Sequence, residues 1–432
     1  NDAKEKLKKK TSEELLKAAC CNLAESFETT PSIDVNFSDA ISGRKQINML
    51  GLSSPNILMS VENIPSIRGA LQSYGLTYIP GTWIESMQVA KGSGSVVNGY
   101  ESISGQINTE LRKPLTDDKF FLNLFANAME RLELNAHYTS NLNNKLDHGL
   151  YFHTNKKATS ADNNNDGFRD SPTGEQLNIL NRFQYTNLEK GLVGFFDFNY
   201  VFDERVYGEN EYIDGIIFAE NQNYWGGKTD SEILKINFKF GYVDPMITYR
   251  SLGLQFAYTG IDMGSSFGFR NHDTKQTSIY SNLVYNSIIG DTRSKIKTGI
   301  SLTYDEFDEF IFNNNPSLNN FEISRIEKSI GAYFEYNYDD LDKINLSAGL
   351  RFDNHNKIGN FISPRFQMKY QAFPKSTIKL SFGKATRVAN IFSENQKLFY
   401  SSREIIFTEN STPTDFSTMK ADQAWNYGVS II

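Results

Sequence analysis

The sequence predicts a transmembrane antiparallel β-barrel that encloses a smaller mixed α/β domain formed by the N-terminal part of the chain. Three observations support this fold class. From about residue 119 onward, most segments alternate apolar and polar residues over roughly 8 to 12 positions, as half-buried strands do. Aromatic residues make up 13% of the chain, including 32 Phe and 22 Tyr, which suits strands and membrane interfaces. Short connections alternate with long polar ones.

The composition argues against several classes of protein. A net charge of −7 provides no basic surplus of the kind that nucleic acid attracts, so no nucleic acid partner is expected. The chain has no run of about 18 apolar residues, so a transmembrane helix is not expected. The mean hydropathy of −0.46 agrees with a barrel, because only alternate strand residues meet lipid.

The N-terminal segment predicts one amphipathic helix. Residues 1–10 are rich in lysine and are expected to be a frayed lead-in. Thr11 and Glu14 have the spacing of a capping box, in which each side chain satisfies a free backbone amide at the start of a helix. The predicted helix therefore begins at Thr11 and reaches Phe27, and Pro31 ends it.

Short strands follow this helix. They are predicted at 46–50 and 56–61, with turn residues at 62–65. A further strand is predicted at 84–92, followed by a glycine-rich turn and another strand at 103–108.

The remainder of the chain reads as a succession of strands. Apolar residues occupy every second position in several segments, for example Leu252, Leu254, Phe256 and Tyr258. Such alternation fits a soluble sandwich as well as a barrel. Connection lengths favour the barrel, because tight turns on one side and long loops on the other are typical of outer-membrane proteins. The long connections are predicted at 156–175, 203–232, 305–322 and 387–422.

The segment 84–108 resembles the end of the plug domain in TonB-dependent outer-membrane receptors. There a pattern "IE-x-I-E-V-x-R-G … Y-G-x-x-A-I-G-G-x-I-N" leads into the barrel, and this chain has IESMQVAKG followed by NGYESISGQIN. The segments LSAGLRFD, SPRF and KLSFGKATR are similar to later barrel strands of these receptors. The resemblance implies a plug domain at 11–114 and a barrel at 119–432.

The resemblance also sets an expectation for the strand number. Barrels of this family have 22 strands. About sixteen strand candidates follow the plug, so we expect that about six C-terminal strands are missing from the chain, in line with that strand number. The resemblance implies a TonB-contacting box upstream of Asn1. No signal peptide begins at Asn1, so either the chain is cytoplasmic or a targeting segment has been removed before this numbering begins, and the second interpretation fits the other observations.

The chain departs from the family pattern in detail. Leu50-Gly51 and Lys91-Gly92 stand where Arg-Gly is usual, Glu62-Asn63 where Asp-Gly is usual, and Ser104-Gly105 where Gly-Gly is usual. These departures bear on individual polar contacts and leave the topology unchanged.

Charged residues are predicted to fasten the plug to the barrel. In the family, charged plug residues pair with wall residues that face the lumen. By this resemblance the candidates are Glu85, Lys91 and Arg112 in the plug, and Arg351, Arg365 and Arg387 in the barrel. An ion pair in a partly dry lumen is costly to break from one side, so it would hold the plug in place. Ordinary solvation in a wet lumen is the alternative.

Two segments are candidate metal sites. Cys20 and Cys21 could bind Cu(I) through a soft thiolate, or Cys20 could be a small core residue and Cys21 a half-exposed one. Asp162, Asn164 and Asp166 match the first half of an EF-hand, which would place Ca²⁺ in the loop at 162–173. Position 12 of that pattern is Thr rather than Glu, and a plain Asn/Asp/Gly turn is the alternative.

The sequence shows no catalytic set, so no enzyme is predicted. The five histidines are scattered, and no nucleophile elbow accompanies them. The Gly-Ser-Gly-Ser run at 92–95 lacks the Lys-Ser/Thr of a phosphate-binding loop. A soluble all-β enzyme or lectin is a third reading that the loop asymmetry disfavours.

The resemblance implies an outer-membrane importer of a scarce nutrient, with a metal ion or metal chelate favoured as cargo. It implies a TonB-type partner that grips a segment upstream of Asn1, contact with outer-membrane lipid, and an extracellular ligand. The alternative is a plugged barrel that does not transport and acts as a scaffold for surface lipoproteins or other assembly partners. The abundance of Asn, Lys, Phe and Tyr suggests an origin in the Bacteroidota.

Overall fold

The computed structural model describes residues 7–11, 22–28, 33–128, 130–212, 224–313, 320–374, 376–401, 403 and 420–431. These residues form 22 strands in three sheets, two short α-helices and several 3₁₀ turns. Within them, no helix has the length and apolar character needed to cross a membrane.

Two small sheets form the N-terminal domain. Their strands are β1 (Leu7–Thr11), β2 (Asp34–Phe37), β3 (Lys45–Met49), β4 (Leu52–Ser53), β5 (Ile57–Val61), β6 (Ile64–Pro65), β7 (Ile84–Lys91) and β8 (Gly105–Leu111). One sheet has the order β1-β7-β8-β5-β6 and the other β2-β3-β4. Only the β5–β8 pair is parallel among the described strands of this domain. Leu71, Met87 and Ile107 belong to its buried core.

The start of the chain differs from the sequence prediction. Strand β1 pairs antiparallel with β7, so residues 7–10 are not a frayed lead-in, because backbone hydrogen bonding needs no apolar side chains. Thr11 ends this strand and is not a helix N-cap. The observed helix α1 (Leu23–Ser26) begins after Asn22, whose side chain accepts the Glu25 N–H at 3.2 Å. Residues 12–21 lie outside the described residues.

The third sheet, called the wall below, contains fourteen antiparallel strands. Each is paired with its neighbours in the chain. They are β9 (Phe120–Ala126), β10 (Arg131–Asn143), β11 (Leu146–Lys157), β12 (Thr173–Asn187), β13 (Leu192–Gly208), β14 (Gly226–Val243), β15 (Ser251–Phe267), β16 (Arg270–Ile289), β17 (Asp291–Asn313), β18 (Phe321–Asp339), β19 (Ile344–His355), β20 (Gly359–Phe373), β21 (Ser376–Arg387) and β22 (Asp422–Ile431). Helix α2 (Ile391–Glu394) lies between the last two strands.

The wall has a short-turn end and a long-loop end. Connections 144–145, 188–191 and 340–343 lie at the short-turn end, whereas 158–172 and 388–421 lie at the other. The sequence offers about sixteen strand candidates after the plug, whereas the described residues form fourteen wall strands. Very long strands explain part of the excess: β17 has 23 residues, about twice the 9 to 11 that a tilted strand needs to cross a bilayer.

The same long strands shorten two predicted loops. The connection predicted at 203–232 spans only 209–225, and that at 305–322 spans only 314–320. Beyond the membrane an outward side chain need not be apolar, so Asp308 and Glu322 interrupt the alternation while the backbone stays paired. The other two long connections lie close to their predicted bounds.

The two faces of the wall have opposite character. Outward side chains include Phe334 and Leu350, which pair across β18 and β19 and are 46% and 53% exposed. Inward side chains include Asn178, Arg182 and Asp353, which are fully buried. A soluble sandwich would bury its apolar face. The wall instead exposes an apolar band and encloses polar groups, as a membrane barrel does.

The wall curls around the N-terminal domain. Side chains from strands far apart in the sheet bond to it, for example Asn135 of β10 to Thr82, and Gln276 of β16 to the Ala70 N–H. From β22, Asn426 donates to the Ile103 carbonyl at 2.5 Å. Contacts from both ends and the middle of the wall therefore hold the inner domain in place.

Candidate functional site: the interface between the inner domain and the wall

A turn of the inner domain is clasped by two arginines of the wall. This turn lies within the connection between β7 and β8 and is called the 93–99 turn. Arg365 of β20 donates to the Ser95 carbonyl at 2.5 Å and to the Gly99 carbonyl at 2.9 Å. Arg351 of β19 donates to the Val96 carbonyl at 3.3 Å. The two guanidinium groups thus satisfy backbone acceptors that the turn leaves unpaired.

A carboxylate completes the clasp. Glu335 of β18 accepts the Ser95 hydroxyl at 2.5 Å. Arg351 is itself held by Asp353 at 2.7 Å and by the Ser301 hydroxyl at 2.7 Å. Because these partners fix Arg351 in place, the clasp does not depend on the turn for its own shape.

Two inward-facing glycines of the wall receive the 93–99 turn. A Cβ at Gly349 would lie 2.7 Å from a methyl group of Val96, and a Cβ at Gly383 would lie 2.5 Å from the Cβ of Ser93. Both distances are too short for real side chains, so the turn is seated against bare backbone. Gly349 and Gly383 are called the glycine socket below.

A second fastening is centred on Glu62. This residue lies in a turn with a φ of 56° and is buried. Its carboxylate pairs with Arg182 of β12 at 3.1 Å and with Lys239 of β14, and it accepts the Leu111 N–H at 2.8 Å. Burial by itself would raise the pKa of Glu62, but the two cations outweigh burial and hold it below its usual range.

A third fastening involves Arg68. Its guanidinium pairs with Asp305 of β17 at 3.0 Å and with Glu101 of the inner domain at 2.8 Å. Sequence reasoning missed Glu62 and Arg68, because their wall partners are more than a hundred residues away and leave no local pattern. The available signal was the Glu62-Asn63 turn itself, which places an acid where the family has one.

The predicted contact residues divide into two groups. Arg351 and Arg365 reach the inner domain, as described above. Glu85 pairs at 2.9 Å with Lys113, which follows β8 and is not part of the wall. The Glu85 side chain is 45% exposed. Lys91 is exposed, and no ion pair to it is found within the described part of the chain.

The remaining two predicted residues bind locally. Arg112 donates to the Thr82 carbonyl at 2.9 Å and pairs with Asp117 at 2.8 Å. It therefore stabilises the connection between β8 and β9, which leads from the inner domain to the wall. Arg387 pairs with Glu394 and Asp422, which belong to the connection after β21 and to β22 rather than to the inner domain. The position of an arginine on a strand predicts whether its side chain faces the lumen, but it does not predict which residue the side chain pairs with.

The cover segment, defined as residues 390–400, lies over the inner domain at the long-loop end. Gln396 accepts a hydrogen bond from Arg44 at 2.7 Å, and its amide nitrogen lies 3.1 Å from Nδ1 of His272. Ser73 donates to the Ser393 carbonyl at 2.6 Å. The segment therefore touches both domains.

Only one of the two candidate metal sites falls within the described residues. Cys20 and Cys21 lie outside the described residues. In the loop at 162–173, Asp162 accepts the N–H groups of Asp166 and Gly167 at 3.1 and 3.0 Å, and Asn164 donates to Asp166 at 3.0 Å. Among the residues that the structure describes, no group of three His, Cys, Asp or Glu side chains is placed to hold a metal. Calcium binding there stays a prediction.

Comparison with known proteins identifies this architecture. A family model described as TonB-dependent Receptor Plug Domain matches residues 2–106, and one described as TonB dependent receptor-like, beta-barrel matches residues 184–431. The chain belongs to the TonB-dependent receptor family. The inner domain is its plug, and the predicted plug within an outer-membrane barrel is confirmed. This family consists of receptors and transporters, not enzymes.

Solved structures share the fold at low sequence identity. The siderophore receptor PirA from Acinetobacter baumannii is 16% identical with a TM-score of 0.68; the match covers 89% of this chain and 62% of that one. The alcaligin outer-membrane receptor FauA from Bordetella pertussis is 12% identical with a TM-score of 0.69, covering 89% and 63%. The copper transporter OprC is 14% identical with a TM-score of 0.69, covering 95% and 66%. The chain thus spans less than two thirds of the length of these receptors.

Proposed function

We propose that this protein imports a metal ion or metal chelate across the outer membrane, and that a TonB-type energy-transducing partner drives the import. The observation that carries the proposal is the plug fastened inside the wall at three places, through Arg365, Glu62 and Arg68. A filled lumen stops free diffusion, and buried ion pairs resist spontaneous release, so passage requires energised movement of the plug.

The cargo class rests on similarity. The solved structures named above are a siderophore receptor, an alcaligin receptor and a copper transporter, and they share this fold. Binding of an extracellular ligand would occur at the long-loop end, where the connections 158–172 and 388–421 are large enough to contact it.

An engineered disulfide between plug and wall, which can be reduced again, tests the proposal. A Cβ at Gly349 would lie 3.4 Å from the Cβ of Val96, close to the mean of about 3.8 Å in disulfides. The double variant Val96→Cys with Gly349→Cys should therefore crosslink plug to wall when oxidised. The receptor is expressed in a deletion strain grown on limiting iron, copper, cobalamin or glycan, with and without a reductant.

If the protein is an importer, the deletion strain should grow poorly when one of these nutrients is limiting. The locked receptor should restore growth only after reduction, whereas the single variant Val96→Cys should restore it at once. Full growth with the oxidised double variant, shown to be crosslinked on a gel, would contradict import and favour the scaffold function, because a scaffold needs the plug only as a fixed part.

A further inference from the structure

A cavity of about 510 Å³ lies between the plug and the short-turn end of the wall. The plug side of the cavity is formed by amide side chains of β7 and β8, including Gln88, Gln106 and Asn108. Residues of the 93–99 turn line the same cavity, namely Gly94, Ser95, Val97 and Asn98. The wall side is polar as well, with Lys297, Asn337, Asn345, Gln367, Lys369 and Lys379.

The inward positions of β17 show what lies beyond the turn. Lys297, Ser301, Asp305 and Glu309 are spaced by four residues, so they share the inward face in order from the short-turn end. Lys297 lines the large cavity, and Ser301 supports the clasp through Arg351. Asp305 lines a second cavity of about 40 Å³, and Glu309 bonds to His272 beneath the cover segment at 3.0 Å.

The 93–99 turn therefore separates two cavities on one side of the barrel. The small cavity contains Arg68, Glu101 and Glu394, and so lies directly below the cover segment. The turn closes the space between the cavities by seating on the glycine socket, where the wall has no side chains to keep it away. It is fastened by hydrogen bonds to Arg351, Arg365 and Glu335, which can be remade after the turn moves.

We infer that the cargo leaves along the side of the barrel formed by β17 to β21, that the 93–99 turn is the barrier on this route, and that the large cavity is the exit site for a hydrophilic, anionic solute. Three lysines, one carboxylate, Glu335, and many amides line this cavity, so its lining carries more positive than negative groups. Such a surface favours carboxylate or hydroxyl groups over apolar ones. The volume suits one small chelate at a time. This inference rests on the proposed import function.

The test measures leakage of ions through the purified full-length receptor in planar bilayers with potassium chloride. Gly349→Val and Gly383→Val should each prevent the turn from seating and raise the mean conductance by about tenfold. Gly253→Val is the matched control, because Gly253 lines the same cavity but a Cβ there meets nothing within 4 Å. It should conduct like the wild type.

A second variant covers the case in which the socket variants do not fold. Arg365→Met removes two bonds to the turn with little change in volume and should also raise conductance. Folded variants of Gly349, Gly383 and Arg365 that all stay sealed would overturn the route, as would equal leakage through Gly253→Val.

The charge preference is tested in the leaking variants. Their reversal potential in a salt gradient should show a preference for chloride, and the substitutions Lys297→Gln, Lys369→Gln and Lys379→Gln should reduce it. A preference for potassium before these substitutions would overturn the anionic assignment. Conductance requires neither cargo nor an energy source, so sealed socket variants of a receptor that still supports growth would overturn this route and leave import intact.

Discussion

Glu62 shares its carboxylate between the plug and the wall. One oxygen accepts the Leu111 N–H and faces Arg182, and the other faces Lys239. Replacing it would leave two wall cations in the lumen without this counter-charge, which is the costly way to break a buried pair.

We therefore expect Glu62→Gln to lower the free energy of unfolding by about 3 to 5 kcal/mol, the range found for one-sided loss of buried pairs. Urea titration of the receptor in detergent measures this change. Glu85→Gln is the control, because the half-exposed pair with Lys113 should contribute less than about 1 kcal/mol. Equal effects of the two substitutions would contradict the anchoring role of Glu62.

The pKa of Glu62 predicts how this contribution depends on pH. Because the two cations lower the pKa in the folded protein, the contribution is complete above the ordinary carboxyl pKa of about 4.3. It is lost as the pH falls from there through the lowered pKa. Unfolding free energies between pH 7 and pH 3 should therefore fall more steeply in the wild type than in Glu62→Gln. Parallel curves would show that another group controls the acid response.

Among the elements, the cover segment depends on Gln396. Its side chain links Arg44 of the plug to His272 of the wall. Gln396→Ala should leave both groups without this partner and increase amide hydrogen exchange over residues 391–400. Leu398→Ala is the matched control in the same 3₁₀ turn, because Leu398 is 58% exposed. Unchanged exchange in Gln396→Ala would mean that backbone packing alone holds the segment.

The loop at 162–173 offers a second test at the level of elements. If Ca²⁺ binds there, it should protect the loop from protease, and Asp166→Asn should abolish the protection by removing a carboxylate ligand. A loop that is cut at the same rate with calcium and with chelator would be a plain turn, closed by the bonds from Asp162 to backbone amides.

At the level of the whole molecule, the apolar band predicts sensitivity to charge. Phe334 lies near the centre of the outward band on β18. Phe334→Arg should destabilise the barrel by about 2 to 4 kcal/mol in lipid, as charges at the bilayer midplane do. Asn337→Arg, on the inward face beside the large cavity, should have little effect. Unfolding in liposomes compares them, and equal costs would contradict the assigned faces.

Much of this architecture could be predicted from local pattern. Alternation identified the outward residues Leu252, Leu254 and Phe256, whereas Arg351 and Arg365 were named as wall contacts of the plug only through the family resemblance. The alternation depends on near neighbours in the chain, which the sequence displays directly.

The remaining features depend on distant parts of the chain. Nothing near Glu62 indicates Arg182, and nothing near Arg68 indicates Asp305. The strand lengths were predicted incorrectly for a different reason. Outside the membrane the backbone ladder of β17 continues although its outward side chains are polar, so the period that marks a strand disappears before the strand ends.

The glycine socket limits which plugs this barrel can accept. A chimeric receptor that carries another plug would fit only if small or slender side chains stood where Ser93 and Val96 stand, since Gly349 and Gly383 leave room for no more. A bulky residue gained in the wall would in turn demand a shorter turn. Plug and barrel are therefore expected to be exchangeable between receptors as a matched set and not as separate parts.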